Sequence, residues 1–153
     1  MGQPILDGRA SRVVRSRNVA STLPRIRLAH LIRAHVDVIG RNPAAATVYF
    51  QDWRHLADSR FEDVRARRDA YEALWRQLIA EGVASGELRP IEPRLAAIAC
   101  LSMCNWLYQW YDPSGPLSPG DVARAFADIL IGGLGRSGPP TTDSEKEYAH
   151  AGL

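Results

Sequence analysis

Seventeen consecutive residues, Leu95 to Tyr111, carry no charge, and the last seven of them, NWLYQWY, hold four of the chain's twelve aromatic rings. On a helix, Leu95, Ile98, Leu101, Met103, Trp106, Leu107, Tyr108, Trp110 and Tyr111 would cover most of the circumference. Such an element must be covered on nearly every side. The run includes Ser102, Asn105 and Gln109 and falls short of the roughly 20 apolar residues that span a bilayer, so it reads as a buried helix rather than a membrane segment. Whatever the rest of the chain leaves uncovered becomes a contact surface.

The rest of the chain is small. Its 153 residues suffice for one core and are too few for two ordinary domains. Hydrophobic residues make up 46% and charged residues 24%, the balance of a soluble globular protein. The opening residues contain neither a signal-peptide core nor the Ser or Thr of a myristoylation signal, so a cytoplasmic protein is expected. Cys100 and Cys104 share a helix face inside the uncharged run and are expected to pack as small apolar groups, without a disulfide framework.

Periodicity predicts five helices. The first runs through RIRLAHLIRAHVDVIG, with Pro24 near its first turn and Ile26, Ala29, Ile32, Val36 and Ile39 near helical spacing. The second is a short helix after Pro43, carrying Val48, Tyr49, Phe50, Trp53 and Leu56. The third is the longest, from about Phe61 to Ala84, with a mixed-charge outer face. Pro93 opens the fourth, expected to continue to Tyr111. Ser118 caps the fifth, with Pro119 at its first position and Asp121 at its third, and Val122, Ala125, Phe126, Ile129, Leu130 and Gly133 form its stripe. The expected architecture is an all-α antiparallel bundle over residues 24–134, flanked by a disordered basic arm (1–23) and a disordered polar tail (135–153).

Catalytic and metal chemistry find no constellation. His30 and His35 are five apart and point to different helix faces, and HExxH, Glu-x-x-His pairs, phosphate loops and nucleophile elbows are missing from the sequence. Asp52, Arg54, His55 and Asp58 read as a charged surface turn. No enzyme, metal or cofactor is therefore expected. Residues 1–27 carry six Arg against one Asp, but the aromatic rings lie elsewhere, so no stacking groove for single-stranded nucleic acid is expected.

Two uses remain for the rings. Trp106 with Trp110 and Tyr71 with Trp75 are i, i+4 pairs. Core packing is one reading, and a cavity for an elongated apolar ligand is the other, formed by Tyr71, Trp75, Met103, Asn105, Trp106 and Trp110. A two-fold contact through the fourth and fifth helices is expected at Leu95, Ile98, Ala125, Phe126, Ile129 and Gly133, where small residues allow close approach.

The segments IRLAHLIRAHVDVIGRNP, RRDAYEALWRQLIAEGVASGELRP and PRLAAIACLSMCNWLYQWYDPSGPLSPGDVARAFADILIGGL resemble the C-terminal, ligand-binding and dimerisation domain of TetR-family transcriptional repressors, over about Ile26 to Leu134. The last segment is similar to the subgroup that controls fatty-acid and steroid catabolism. The resemblance implies a homodimeric sensor of a long apolar effector such as an acyl thioester. In that family an N-terminal helix-turn-helix of roughly fifty residues reads the DNA major groove. The residues before Ile26 lack its pattern, so this chain alone is expected to bind no specific DNA and no membrane. The competing expectation is a helical interaction protein without ligand, pairing with itself or with full-length regulators.

Overall fold

The computed structural model describes residues 23–52 and 58–135; the arm, the tail and the Arg54–His55 turn lie outside the described residues. Within them the fold is an all-α antiparallel bundle whose hub is α1 (Pro24–Arg41). Around it stand α2 (Pro43–Asp52), α3 (Asp58–Ala84), α4 (Pro93–Asn105), the single turn α5 (Leu107–Trp110) and α6 (Pro119–Leu134). α1 touches every other element and lies longest against α6. It can do so because Leu28, Leu31, Ile32, His35, Val36 and Ile39 recur at helical spacing and are all buried. The stripe predicted from Ile26 and Ala29 is turned by part of a turn, and Ile26 itself is exposed.

Helix ends follow local chemistry. Pro24, Pro93 and Pro119 occupy first-turn positions, where a missing N–H costs nothing. Glu92 accepts from the Leu95 amide, and Ser118 and Asp121 form a reciprocal capping box. α3 stops at Gly86, whose φ of 75° closes the turn and returns the Leu88 amide to the Gly82 carbonyl at 3.0 Å. Leu88 lies over Gly82, and the Arg89 amide donates to Leu134, tying this turn to the end of α6.

One expectation for the uncharged run needs correction. It is not one helix: α4 ends at Asn105, and the Gln109 amide reaches back only three residues, to the Trp106 carbonyl, at 3.0 Å. The protomer leaves part of the run uncovered. Within α4 the buried positions are Ala96, Ala97, Cys100 and Cys104, and beyond it Leu107 and Tyr111, while Leu95 (65% exposed), Ile98 and Trp106 (60% exposed) point away from the protomer. Along α4 itself the small side chains face inward and the bulk is left on the outside. Burial pushes the Cys100 thiol up to about 11 and raises Cys104 further, with the neighbouring Cys100 adding to the effect. Both are inert packing groups and free thiols.

The α1–α6 contact depends on Gly40, where a Cβ would lie 2.9 Å from the Cβ of Pro119. Pro119 is fixed by its own ring and cannot swing aside. Overpacking of about 1–3 kcal/mol should outweigh the roughly 1 kcal/mol that alanine gains over glycine in a helix. Gly40→Ala is therefore expected to lower the urea midpoint, with a net loss of about 1 kcal/mol; a midpoint at or above the parent's would show that this contact is looser than described.

Candidate functional site

A cavity of about 120 Å³ opens among α1, α2, α3 and α4. Its inner wall is polar, although it is set in the apolar core. His35 comes from α1 and is 1% exposed; Tyr71 comes from α3 and Asn105 from the last residue of α4. The His35 ring is bonded through both nitrogens, with Nδ1 3.0 Å from the Tyr71 hydroxyl and Nε2 2.8 Å from Asn105 Oδ1. Burial holds the imidazole down to about 4, against a smaller upward pull from the Asn105 bond, so it is neutral at physiological pH. Behind this set stands Trp75, fully buried, its ring edge-on to His35 at 5.6 Å and to Tyr71 at 6.2 Å. The Trp75 Nε1 donor has no partner among the described residues.

The outer wall is aromatic and charged. Tyr49 and Phe50 of α2 meet edge to face at 5.3 Å, and Phe50 stacks on Tyr108 of α5 at 5.2 Å. The Arg68 guanidinium lies over both α2 rings, 5.3 Å from Tyr49 and 5.9 Å from Phe50. Asp69, Glu72 and Leu101 complete the lining. A larger open groove of about 370 Å³ runs between α1 and α6, rimmed by Arg25, His30 and Arg33, with Arg33 3.9 Å from Asp128. The smaller cavity, lined by the hydrogen-bonded set of His35, Tyr71 and Asn105, is the better-built site.

Of the six residues expected to bind ligand, Tyr71 and Asn105 line this cavity, and Trp75 stands one ring behind it. Met103 is half-buried and does not line it. Trp106 and Trp110 are on the outside: Trp106 meets Tyr108 at 6.4 Å, and Trp110, 48% exposed, meets Phe126 of α6 at 6.2 Å. Trp106 faces out because it continues the outer register of Leu95, Ile98 and Ser102, and Trp110 lies beyond the break on the side of α6. Of the residues expected at a two-fold contact, Leu95, Ile98, Ala125, Ile129 and Gly133 are exposed, and Phe126 is half-buried. With Ala99, Ser102 and Gly132, the exposed ones form two stripes at helical spacing, 95-98-99-102 on α4 continued by Trp106, and 125-129-132-133 on α6, the second flanked by the exposed Asp128.

Sequence reasoning missed His35, Tyr49, Phe50, Arg68 and Leu101. A signal for His35 existed, since it falls in register with Leu31, Ile32 and Ile39. Among the described residues, no group of His, Cys, Asp and Glu could hold a metal, and no helix is long and apolar enough to cross a membrane.

Residues 21–134 match the family model described as tetracyclin repressor-like, C-terminal domain. The HTH-type transcriptional repressor KstR2 of Mycolicibacterium smegmatis is 29% identical over 119 residues, which cover 76% of this chain and 58% of that protein. The chain thus spans less than two thirds of the length of that relative. A TetR/AcrR-family transcriptional regulator from Thermobifida fusca superposes with a TM-score of 0.74 at 32% identity, covering 86% of this chain and 69% of the other. The ketosteroid transcriptional regulator KstR2 of Mycobacterium tuberculosis superposes with a TM-score of 0.78 at 24% identity, covering 87% and 68%.

Proposed function

Because the chain belongs to the family of tetracyclin repressor-like C-terminal domains, we propose that it is a sensor unit, which pairs with a second copy and holds one end of an apolar effector in the His35–Tyr71–Asn105 cavity. A regulatory role without catalysis follows from the family itself. The observation that carries the effector assignment is the polar set buried beside open space. Three side chains from three helices meet there, His35 and Tyr71 buried and Asn105 half-buried, an arrangement of little use to a purely packed core but well suited to orienting a ligand's polar group.

The cavity's size refines the long effector expected from the sequence. Space of about 120 Å³ is slightly less than the roughly 150 Å³ that accommodates benzene in an engineered core. A short acyl group or the end of a ring system fits, with the remainder of the molecule outside. Arg68 at the aromatic wall is the mouth's cation, set beside Asp69 and Glu72, and an anionic portion of the effector would have to reach it past those carboxylates. An acyl thioester has this division between a compact apolar end and a large anionic one.

Calorimetric titration of the purified protein with acetyl-, isovaleryl- and octanoyl-coenzyme A tests the assignment. Saturable binding of at least one is expected. Leu101→Trp, which fills the cavity from a half-buried position, should weaken it by about tenfold or more. Absence of saturable binding by all three, together with no small molecule retained in native mass spectra, would refute the sensor reading.

A further inference from the structure

Building on the reading of this cavity as the effector site, we infer that Asn105 makes it selective for a carbonyl oxygen over a hydroxyl. The protons of the buried set decide what its wall can offer. A neutral imidazole has one donor and one acceptor nitrogen. Asn105 Oδ1 only accepts, so the His35 proton is on Nε2 and is donated to Asn105. Nδ1 is then bare and accepts from the Tyr71 hydroxyl. Both shared protons are committed within the set.

With its oxygen engaged by His35, Asn105 has the two N–H groups of Nδ2 left to offer a guest, and it lines the cavity. The inner wall therefore has donors to spare. A ligand carbonyl accepts from such a wall and has no proton of its own to place. A hydroxyl also accepts, but its proton must then share an oxygen that is already bonded within the set, Asn105 Oδ1 or that of Tyr71, and a poorly aimed second bond there forfeits much of a hydrogen bond. The carboxylate acceptors of the cavity, Asp69 and Glu72, are exposed or half-exposed and serve its mouth rather than its inner wall. His35 acts here as a positioning residue: it holds the Asn105 amide with its nitrogen available.

Cyclohexanone and cyclohexanol are matched probes of suitable size, differing only in C=O against CH–OH. Chemical-shift titration of the full chain, following the Asn105 side-chain amide, is expected to give about tenfold tighter binding of the ketone, the factor that one net hydrogen bond supplies. Asn105→Leu should abolish the difference. A long-range nitrogen–proton spectrum of the unmodified, ligand-free protein should place the His35 proton on Nε2, a readout that needs no variant to fold. Equal binding of the two probes would overturn the inference and leave the sensor assignment standing. Binding of neither would overturn the inference, while the sensor assignment stands or falls by the thioester titrations. A proton on Nδ1 would mean that Asn105 presents its oxygen to the cavity, reversing the selectivity and overturning the inference whatever the affinities.

Discussion

Ile129→Arg and Ala125→Arg are each expected to turn a dimer into a monomer at micromolar concentration. Both positions are exposed in the protomer, Ile129 at 60%, so a longer polar side chain meets water there and the fold should survive, as far-ultraviolet circular dichroism would verify. In the proposed dimer they meet a second copy. A two-fold contact doubles the effect of any substitution, since each residue enters from both subunits. An arginine without a partner in a desolvated contact costs about 2–5 kcal/mol, which raises the dimer dissociation constant by about 30-fold to several thousandfold. The prediction rests on the two uncharged stripes of α4 and α6, the latter ending in Gly132 and Gly133, where an added Cβ would meet nothing within the protomer. If both variants sediment as dimers, the contact lies elsewhere on the surface.

Acid should weaken the fold by about 3 kcal/mol between pH 6.5 and 4, through His35 alone. Its folded-state value of about 4 lies below the ordinary 6.5. In that window the unfolded chain binds a proton at this site and the native protein does not, so stability rises with pH, by up to about 1.4 kcal/mol per pH unit. Above pH 6.5 both states are neutral and the contribution is flat. The ring is enclosed by uncharged partners, Tyr71, Trp75 and Asn105, so no adjacent carboxylate compensates the charge. Asp112 and Asp121 act differently: bonds from Ser114 and Ser118 hold them below the usual 3.8, so their contribution is lost only at lower pH. Urea unfolding at several pH values would resolve the two windows. His35→Gln should flatten the slope between pH 4 and 6.5; an unchanged slope would show that some other group takes up the proton.

How far the sequence disclosed this arrangement depends on the range of the interactions involved. Features set within a few residues were legible: prolines at the helix starts, the Ser118–Asp121 box, and the two thiols four apart on a buried face. The break at Trp106 was not, because NWLYQWY contains neither glycine nor proline and nothing local forbids a continuous helix. The identity of the buried polar set was half legible. Tyr71 and Asn105 stood out as rings and amides on central helices, but His35 lies 36 and 70 residues from its two partners, and only the folded chain brings them together. Direction along the uncharged run was legible in part. Leu95 and Ile98, expected at a contact outside the protomer, are exposed, and Cys100 and Cys104, expected to pack, are buried. Trp106, expected in the cavity, faces out instead, because helix spacing alone does not say which side of a ring-rich helix turns inward.

That inside-out arrangement of α4 has a consequence for the life of the chain in a cell. A newly made copy that has not met a partner displays an apolar stripe of the kind that chaperones hold and proteases sample. In the proposed dimer, pairing conceals it. The steady-state amount of such a protein then rises more steeply than its rate of synthesis, because at low copy number more of each generation is cleared before it finds a mate. A switch assembled from these units would carry a threshold in its own abundance, set by the residues of a single helix face.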